Sequence, residues 1–230
     1  MKKNFLMRLS ALAAASALLM ASVSCGKKDS SSDEHEHKHN NMVGDIDDNA
    51  NASPEDLPAA VKLLTPTVSG VPIKMEYVEE NISEQEAIAV AKYLYGMSNR
   101  DGEMVKSVMY DGMENHIVSS GQAENIQAFT ESAYDYYRDF VGEDYSFDYL
   151  IAGGLYTEME YTYYDNIVLG ADRDAEITGR KTVFMETYYS SDSTSSGIMR
   201  NKSGDFVYVV VYTINGQCYV MENIIIDQSE

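Results

Sequence analysis

Tryptophan is absent from this chain, and cysteine occurs only twice, at Cys25 and Cys218. Two cysteines cannot build a disulfide framework or a zinc ribbon, so stability has to come from a hydrophobic core. Proline is confined to Pro54, Pro58, Pro66 and Pro72. The elements after residue 72 therefore keep every backbone N–H available for helix or sheet. Basic residues are scarce: 17 Lys+Arg stand against 37 Asp+Glu, a formal charge of −20. A field of that sign repels phosphate backbones, which excludes nucleic acid as a partner, and it favours solubility or a cationic partner. There is no glycine-rich phosphate loop, nucleophile elbow or His-Glu-x-x-His helix, and no catalytic residue set is assigned.

At the start of the chain, Lys2, Lys3 and Arg8 precede the uncharged stretch Leu9 to Ala21. A positive segment followed by an apolar run too short to span a bilayer is the anatomy of an export signal. Ser22-Val23-Ser24-Cys25-Gly26 follows. These residues resemble the lipobox of bacterial lipoproteins, with Ser22 standing where that motif usually carries Leu, Val or Ile. The resemblance implies a signal peptide over 1–24, removed before Cys25, and diacylglyceryl and palmitate-type lipid on Cys25. It places the protein outside the cytoplasm, on the cell membrane or cell surface. Acyl chains contribute about 0.8 kcal/mol per buried CH₂, so more than one chain holds firmly. Lys27 and Lys28 beside the anchor add attraction to anionic headgroups. Loss of Lys2, Lys3 and Arg8 takes the formal charge from −20 to −23.

Residues 25–53 are polar and almost free of large apolar side chains, a composition that cannot offset chain entropy by burial and reads as a disordered tether. Within it, His35, His37 and His39 alternate with acidic and basic neighbours. Imidazoles on a pliable segment can converge on Zn²⁺, Cu²⁺ or Ni²⁺, which would make the protein a metal-capturing accessory. The four prolines mark 54–78 as an extended lead-in. One domain is expected over 79–227, a length that supports one core and falls short of two.

Ser83-Glu84-Gln85-Glu86 is a capping box, followed by Ala87, Ile88, Ala91, Leu94 and Tyr95 at helical spacing, which predicts a helix over 84–97. Asn99-Arg100-Asp101-Gly102 breaks it, and Asp101 caps a short second helix carrying Met104, Val105, Val108 and Met109. A third helix near 123–140 places Ile126, Phe129, Ala133, Tyr137 and Phe140 on one stripe. Beyond Gly142 the pattern turns to alternation, predicting strands near 145–152, 156–168, 176–189, 206–214 and 217–226. Asn215-Gly216 supplies a type I′ turn between the last two. Strand 206–214 is apolar on both faces, so it belongs inside the sheet with both faces covered, by a second protomer or by 57–78.

An α+β chain with helices ahead of long antiparallel strands resembles the NTF2-like cone fold, over most of residues 80–226. The stretch Ile82 to Met109 is similar to the opening of small exported members of that superfamily. The resemblance implies N-terminal helices packed on a curved antiparallel sheet, a conical cavity, and in many members a homodimer through the open sheet face. Members include enzymes, ligand-binding modules and protein-interaction modules, so the fold does not choose among them.

All eighteen tyrosines fall between Tyr77 and Tyr219. In a cone, Tyr134, Tyr137, Tyr161 and Tyr163 would line a cavity near Glu158, Glu160 or Glu186, a surface suited to a cationic or sugar-like ligand. Enzymes of the superfamily pair a tyrosine with acidic residues to polarise a carbonyl. Strands also favour tyrosine for purely structural reasons. His116, the histidine beyond the tether, could act as a base and lacks an identifiable partner in the sequence. Cys218 reads as a small buried hydrophobe among acidic neighbours that disfavour thiolate. The expected function is therefore a lipid-anchored, non-enzymatic module that binds a small molecule or an envelope protein. An isomerase- or dehydratase-like enzyme is the alternative, and it would show a Tyr/Asp/His trio in a dry cavity.

Overall fold

The computed structural model describes residues 60–141, 143–191, 196–198 and 207–225. They fold as α+β, and the described part holds six helices and a mixed sheet of seven strands. Strand β1 (Val61–Leu64), the one-turn helix α1 (Pro66–Ser69) and β2 (Lys74–Val78) come first. Four helices follow: α2 (Glu84–Ser98), α3 (Gly102–Val108), α4 (Asp111–Ser119) and α5 (Ile126–Val141). Then come β3 (Tyr145–Leu155), α6 (Thr162–Ala171), β4 (Ile177–Ser191), β5 (Ser196–Ile198), β6 (Val207–Ile214) and β7 (Gln217–Ile225).

The sheet runs β1-β2-β3-β4-β6-β7, with β5 paired to β4. Only β2 and β3 are parallel; the other neighbours are antiparallel. Residues 61–78 are thus part of the sheet, where the sequence suggested an extended lead-in. Pro66 is accommodated because it opens α1, where a missing N–H has no partner to lose.

Helix α2 starts where the capping box predicts. The Ser83 hydroxyl accepts from Glu86 N, and the Glu86 carboxylate accepts from Ser83 N at 2.7 Å. The same carboxylate takes Lys181 Nζ of β4 at 2.7 Å, so the cap also pins the helix to the sheet. Asp101 caps α3 by accepting from Met104 N at 3.0 Å. The hairpin turn has Asn215 at φ 51° and Gly216 at φ 77°, as a type I′ turn requires.

Opposite faces of the sheet carry different helices. Asn223 of β7 lies opposite Val209 and bonds Tyr93 of α2 and Tyr137 of α5. Glu222, opposite Val210, accepts from Tyr164 of α6. Adjacent strand residues point to opposite faces, so α2 and α5 cover one face and α6 the other. Strand β6 is paired on both sides and buried on both faces from Val207 to Tyr212. Its outer cover comes from within the chain. Tyr156 packs on Tyr208, and Tyr161 and Tyr164 pack on Tyr212. Of the segment 57–78, offered beside a second protomer as that cover, Val61–Leu64 and Lys74–Val78 instead extend the other end of the sheet.

Two local expectations are corrected. The predicted strand 156–168 is an irregular stretch leading into α6. Tyr161, Tyr163 and Ile167 mimicked strand alternation, but Tyr164 and Val168, one helical turn apart, are the buried pair. Helix α4 is an additional element, held by Met113 and Ile117 in the core. The third helix begins at Ile126, not 123, because Asn125 Oδ1 accepts from Ala128 N and caps it there.

Candidate functional site

The turn between α2 and α3 shapes one wall of a polar cleft. Arg100 sits at φ 57°, a left-handed conformation uncommon for any residue but glycine. The side-chain amide of Gln127, on α5, holds the turn from both directions: Nε2 donates to Arg100 O at 3.0 Å, and Oε1 accepts from Gly102 N at 3.0 Å. Asn99 Nδ2 donates to Tyr95 O at 2.9 Å and closes the end of α2. Glycine is required at 102 because an added Cβ would lie 2.7 Å from the Gln127 Cα.

This anchored backbone lays the Arg100 guanidinium over the Tyr134 ring, 4.4 Å from its centroid. Tyr134 in turn stacks on Tyr145, with centroids 4.7 Å apart and planes within 5°. The Tyr134 hydroxyl donates to Asp144 Oδ1 and accepts from Tyr145 N, both at 3.0 Å. Burial raises the pKa of Tyr134, so this phenol stays a neutral donor. Arg138 lies 4.0 Å from Asp144.

Ser98, Asn99, Arg100, Tyr134, Asp144 and Tyr145 line the cleft together with Ser146, Ser190 and Ser191, an open groove of about 320 Å³. Ser146 and Ser190 face each other across β3 and β4. Stacking on a ring occupies the face of a guanidinium and leaves the N–H groups of its edge free to donate. Arg100 forms no ion pair with a carboxylate among the described residues. The arrangement can therefore present planar cationic donors, serine hydroxyls and a carboxylate acceptor to one small molecule.

Of the four tyrosines singled out in the sequence, only Tyr134 lines this cleft. Tyr137 is buried and its hydroxyl accepts from Asn223 Nδ2 at 2.6 Å. Tyr161 Oη is 3.1 Å from Thr182 Oγ1, on the opposite face of the sheet. Tyr163 Oη is 2.7 Å from His116 Nε2, linking α6 to α4 at the surface. Burial, and then the nearby Glu222 charge, push Tyr163 up to about 12. The four therefore line no common pocket. Glu186 accepts from Tyr188, while Glu158 and Glu160 are exposed. His116 thus has the partner that the sequence did not reveal.

The outer face is bound by similar pairs. Tyr212 Oη donates to Asp165 at 2.9 Å, and Arg180 Nε donates to the same oxygen at 2.7 Å. Cys218 is half-buried, and burial followed by the Thr213, Glu86 and Lys181 neighbours leaves its thiol pKa raised, as the sequence suggested. Cys25, His35, His37 and His39 lie outside the described residues. Among the described residues there is no group of three or more His, Cys, Asp and Glu placed to hold a metal, and no helix is long and apolar enough to cross a membrane. No protein-family model, curated protein or solved structure matches the chain.

Sequence reasoning missed Arg100, Ser98, Ser146, Ser190 and Ser191. The only local signal was Asn99-Arg100-Asp101-Gly102, a turn that places an arginine between two residues tolerant of left-handed backbone.

Proposed function

We propose that this chain is an exported lipoprotein, attached through Cys25, whose domain is a non-enzymatic module that binds a small molecule in the Arg100 cleft. The observation that carries the binding reading is the cleft itself: a guanidinium over a tyrosine ring, with no carboxylate partner among the described residues, beside serine hydroxyls, in a domain where most other tyrosines bond internally. Its volume lies at the lower end of the range for small-molecule sites, and its lining is polar where most such sites are mainly apolar. The leader, the lipobox-like residues and the polar spacer support the location. We further infer an NTF2-like cone, in which α2 and α5 lie inside the curve of β3, β4, β6 and β7, with β1 and β2 as an added edge.

A ligand-observed NMR screen of hydroxylated metabolites tests the binding reading. Hits are expected whose signals change on Gly102→Ala, which disturbs the turn. A screen with no compound sensitive to the cleft contradicts the reading.

One observation favours the enzyme alternative: Tyr163 and His116 are 2.7 Å apart, and Tyr164 bonds Glu222 beside them. A tyrosine polarised by a base is a general-acid arrangement. That alternative predicts turnover that His116→Ala abolishes; turnover unaffected by His116→Ala removes this site from consideration.

A further inference from the structure

We infer that the Arg100 cleft selects a hydroxylated monocarboxylate of single-ring size, of the hexuronic acid type; this inference rests on the reading of the cleft as a binding site. Three features converge on that chemistry. First, Arg100 is held at its backbone by Gln127, and its guanidinium carbon lies over the Tyr134 ring, 4.4 Å from the centroid. The guanidinium is a planar fork of N–H donors, which matches the two oxygens of a planar carboxylate.

Second, the surroundings set the ligand's charge. The cleft lies in a chain with a formal charge of −20, and Asp144 forms part of its wall. A doubly charged phosphate would meet about twice the repulsion from Asp144 that a single carboxylate meets at the same distance, so the surroundings favour the ligand of lower charge. Arg138 is shared between Asp135, at 2.9 Å, and Asp144, at 4.0 Å, and so offsets only part of the Asp144 charge.

Third, the rest of the lining calls for hydroxyls. Ser146 and Ser190 are cross-strand neighbours, and neither side chain has a hydrogen-bond partner among the described residues. Ser98 donates to Tyr95 O at 3.2 Å and keeps its lone pairs free to accept. Asp144 accepts from Tyr134 through Oδ1, leaving Oδ2 as an acceptor at the cleft. The wall therefore carries both donors and acceptors, as the hydroxyls of a sugar ring require. An aliphatic acid would leave them unpaired at a cost in affinity. The volume, about 320 Å³, suits one ring with its substituents and is small for a longer chain.

Isothermal titration of the full chain with D-glucuronate, D-glucose, acetate and inorganic phosphate tests the inference, with parallel NMR shift mapping. Glucuronate is expected to bind at least tenfold more tightly than the other three, with shifts at residues 98–100, 144–146 and 190–191. Arg100→Met is expected to lower glucuronate affinity about tenfold or more, the scale of one lost charge-assisted pair. Arg100→Lys should restore only part of it, because a point charge lacks the fork. Ser190→Ala should weaken glucuronate several-fold and leave acetate unchanged. Equal binding of glucose and glucuronate, in wild type and Arg100→Met alike, overturns the carboxylate assignment while leaving a binding cleft in place. Phosphate binding more tightly than glucuronate overturns it as well. If none of the four probes shifts the cleft, the assignment falls, and the broader metabolite screen decides separately whether the cleft binds anything.

Discussion

Replacing Asn223 with leucine tests whether the tyrosine-rich interior is a satisfied polar network or merely packed rings. Asn223 Oδ1 accepts from Tyr93 Oη at 3.0 Å, and its Nδ2 donates to Tyr137 Oη at 2.6 Å. Tyr93 is 0% exposed and Tyr137 5%, so neither hydroxyl has ready access to water. Asn223→Leu keeps the branch at Cγ and removes both partners. Each orphaned buried hydroxyl costs about 1–3 kcal/mol, so the substitution is expected to destabilise the fold by about 2–6 kcal/mol. That is a large part of the roughly 5–15 kcal/mol that a domain has in total. Adding Tyr93→Phe and Tyr137→Phe removes the orphans, and the triple variant is expected to regain at least half of the loss. Urea unfolding followed by far-UV circular dichroism, with tyrosine absorbance as a second probe, measures both. A single-variant cost under about 0.5 kcal/mol, or a triple variant no more stable than Asn223→Leu, would refute the network.

Other consequences follow from single contacts. Burial holds the Glu222 carboxyl above its usual range, so the folded protein retains a proton that the unfolded chain has already released. Its contribution is fullest below the unfolded value, about 4.5, and declines as pH rises toward the folded value. Glu222→Gln is expected to flatten that part of the stability profile in thermal melts across pH 4–8; an unchanged slope contradicts the assignment. Ser83→Ala removes the cap acceptor for Glu86 N and is expected to cost about 1 kcal/mol. Lys181→Met, which takes away another partner of the buried Glu86, is expected to lower the urea midpoint further, and a midpoint equal to wild type would mean that the cap-to-sheet pin is idle. Gly102→Ala forces a Cβ to within 2.7 Å of the Gln127 Cα and is expected to cost about 1–3 kcal/mol. Weakened ligand binding should accompany it, whereas a fully stable variant would show that α3 and α5 can separate freely.

Elements written in local chemistry were legible before folding. The Ser83/Glu86 box, the Asp101 cap and the Asn215-Gly216 turn each depend on residues a few positions apart, and each formed as expected. Helix α6 was missed because tyrosine is at home in strands, and Tyr161 with Tyr163 gave false alternation; tertiary burial of Tyr164 and Val168 decided the outcome. The doubly apolar β6 announced that both faces would be covered, but not by what. That answer depends on contacts between Tyr156, Tyr161, Tyr164 and residues about fifty positions away. The cleft was the least legible feature. It joins the end of α2, the middle of α5, the start of β3 and the end of β4, and no periodicity connects those segments. Of the four tyrosines singled out in the sequence, Tyr134 alone lies at the cleft, and Tyr145 beside it was not among them, since a residue type that serves core, rim and site alike cannot tell them apart.

The proposed function sets the cleft on an exported domain hung from a lipid at Cys25. Intact mass spectrometry of the protein extracted from the membranes of its own cell tests it most directly. The account predicts a mature chain that begins at Cys25 and carries the mass of diacylglycerol on that residue. A chain that retains Met1, or one cut elsewhere with Cys25 as a free thiol, would contradict it.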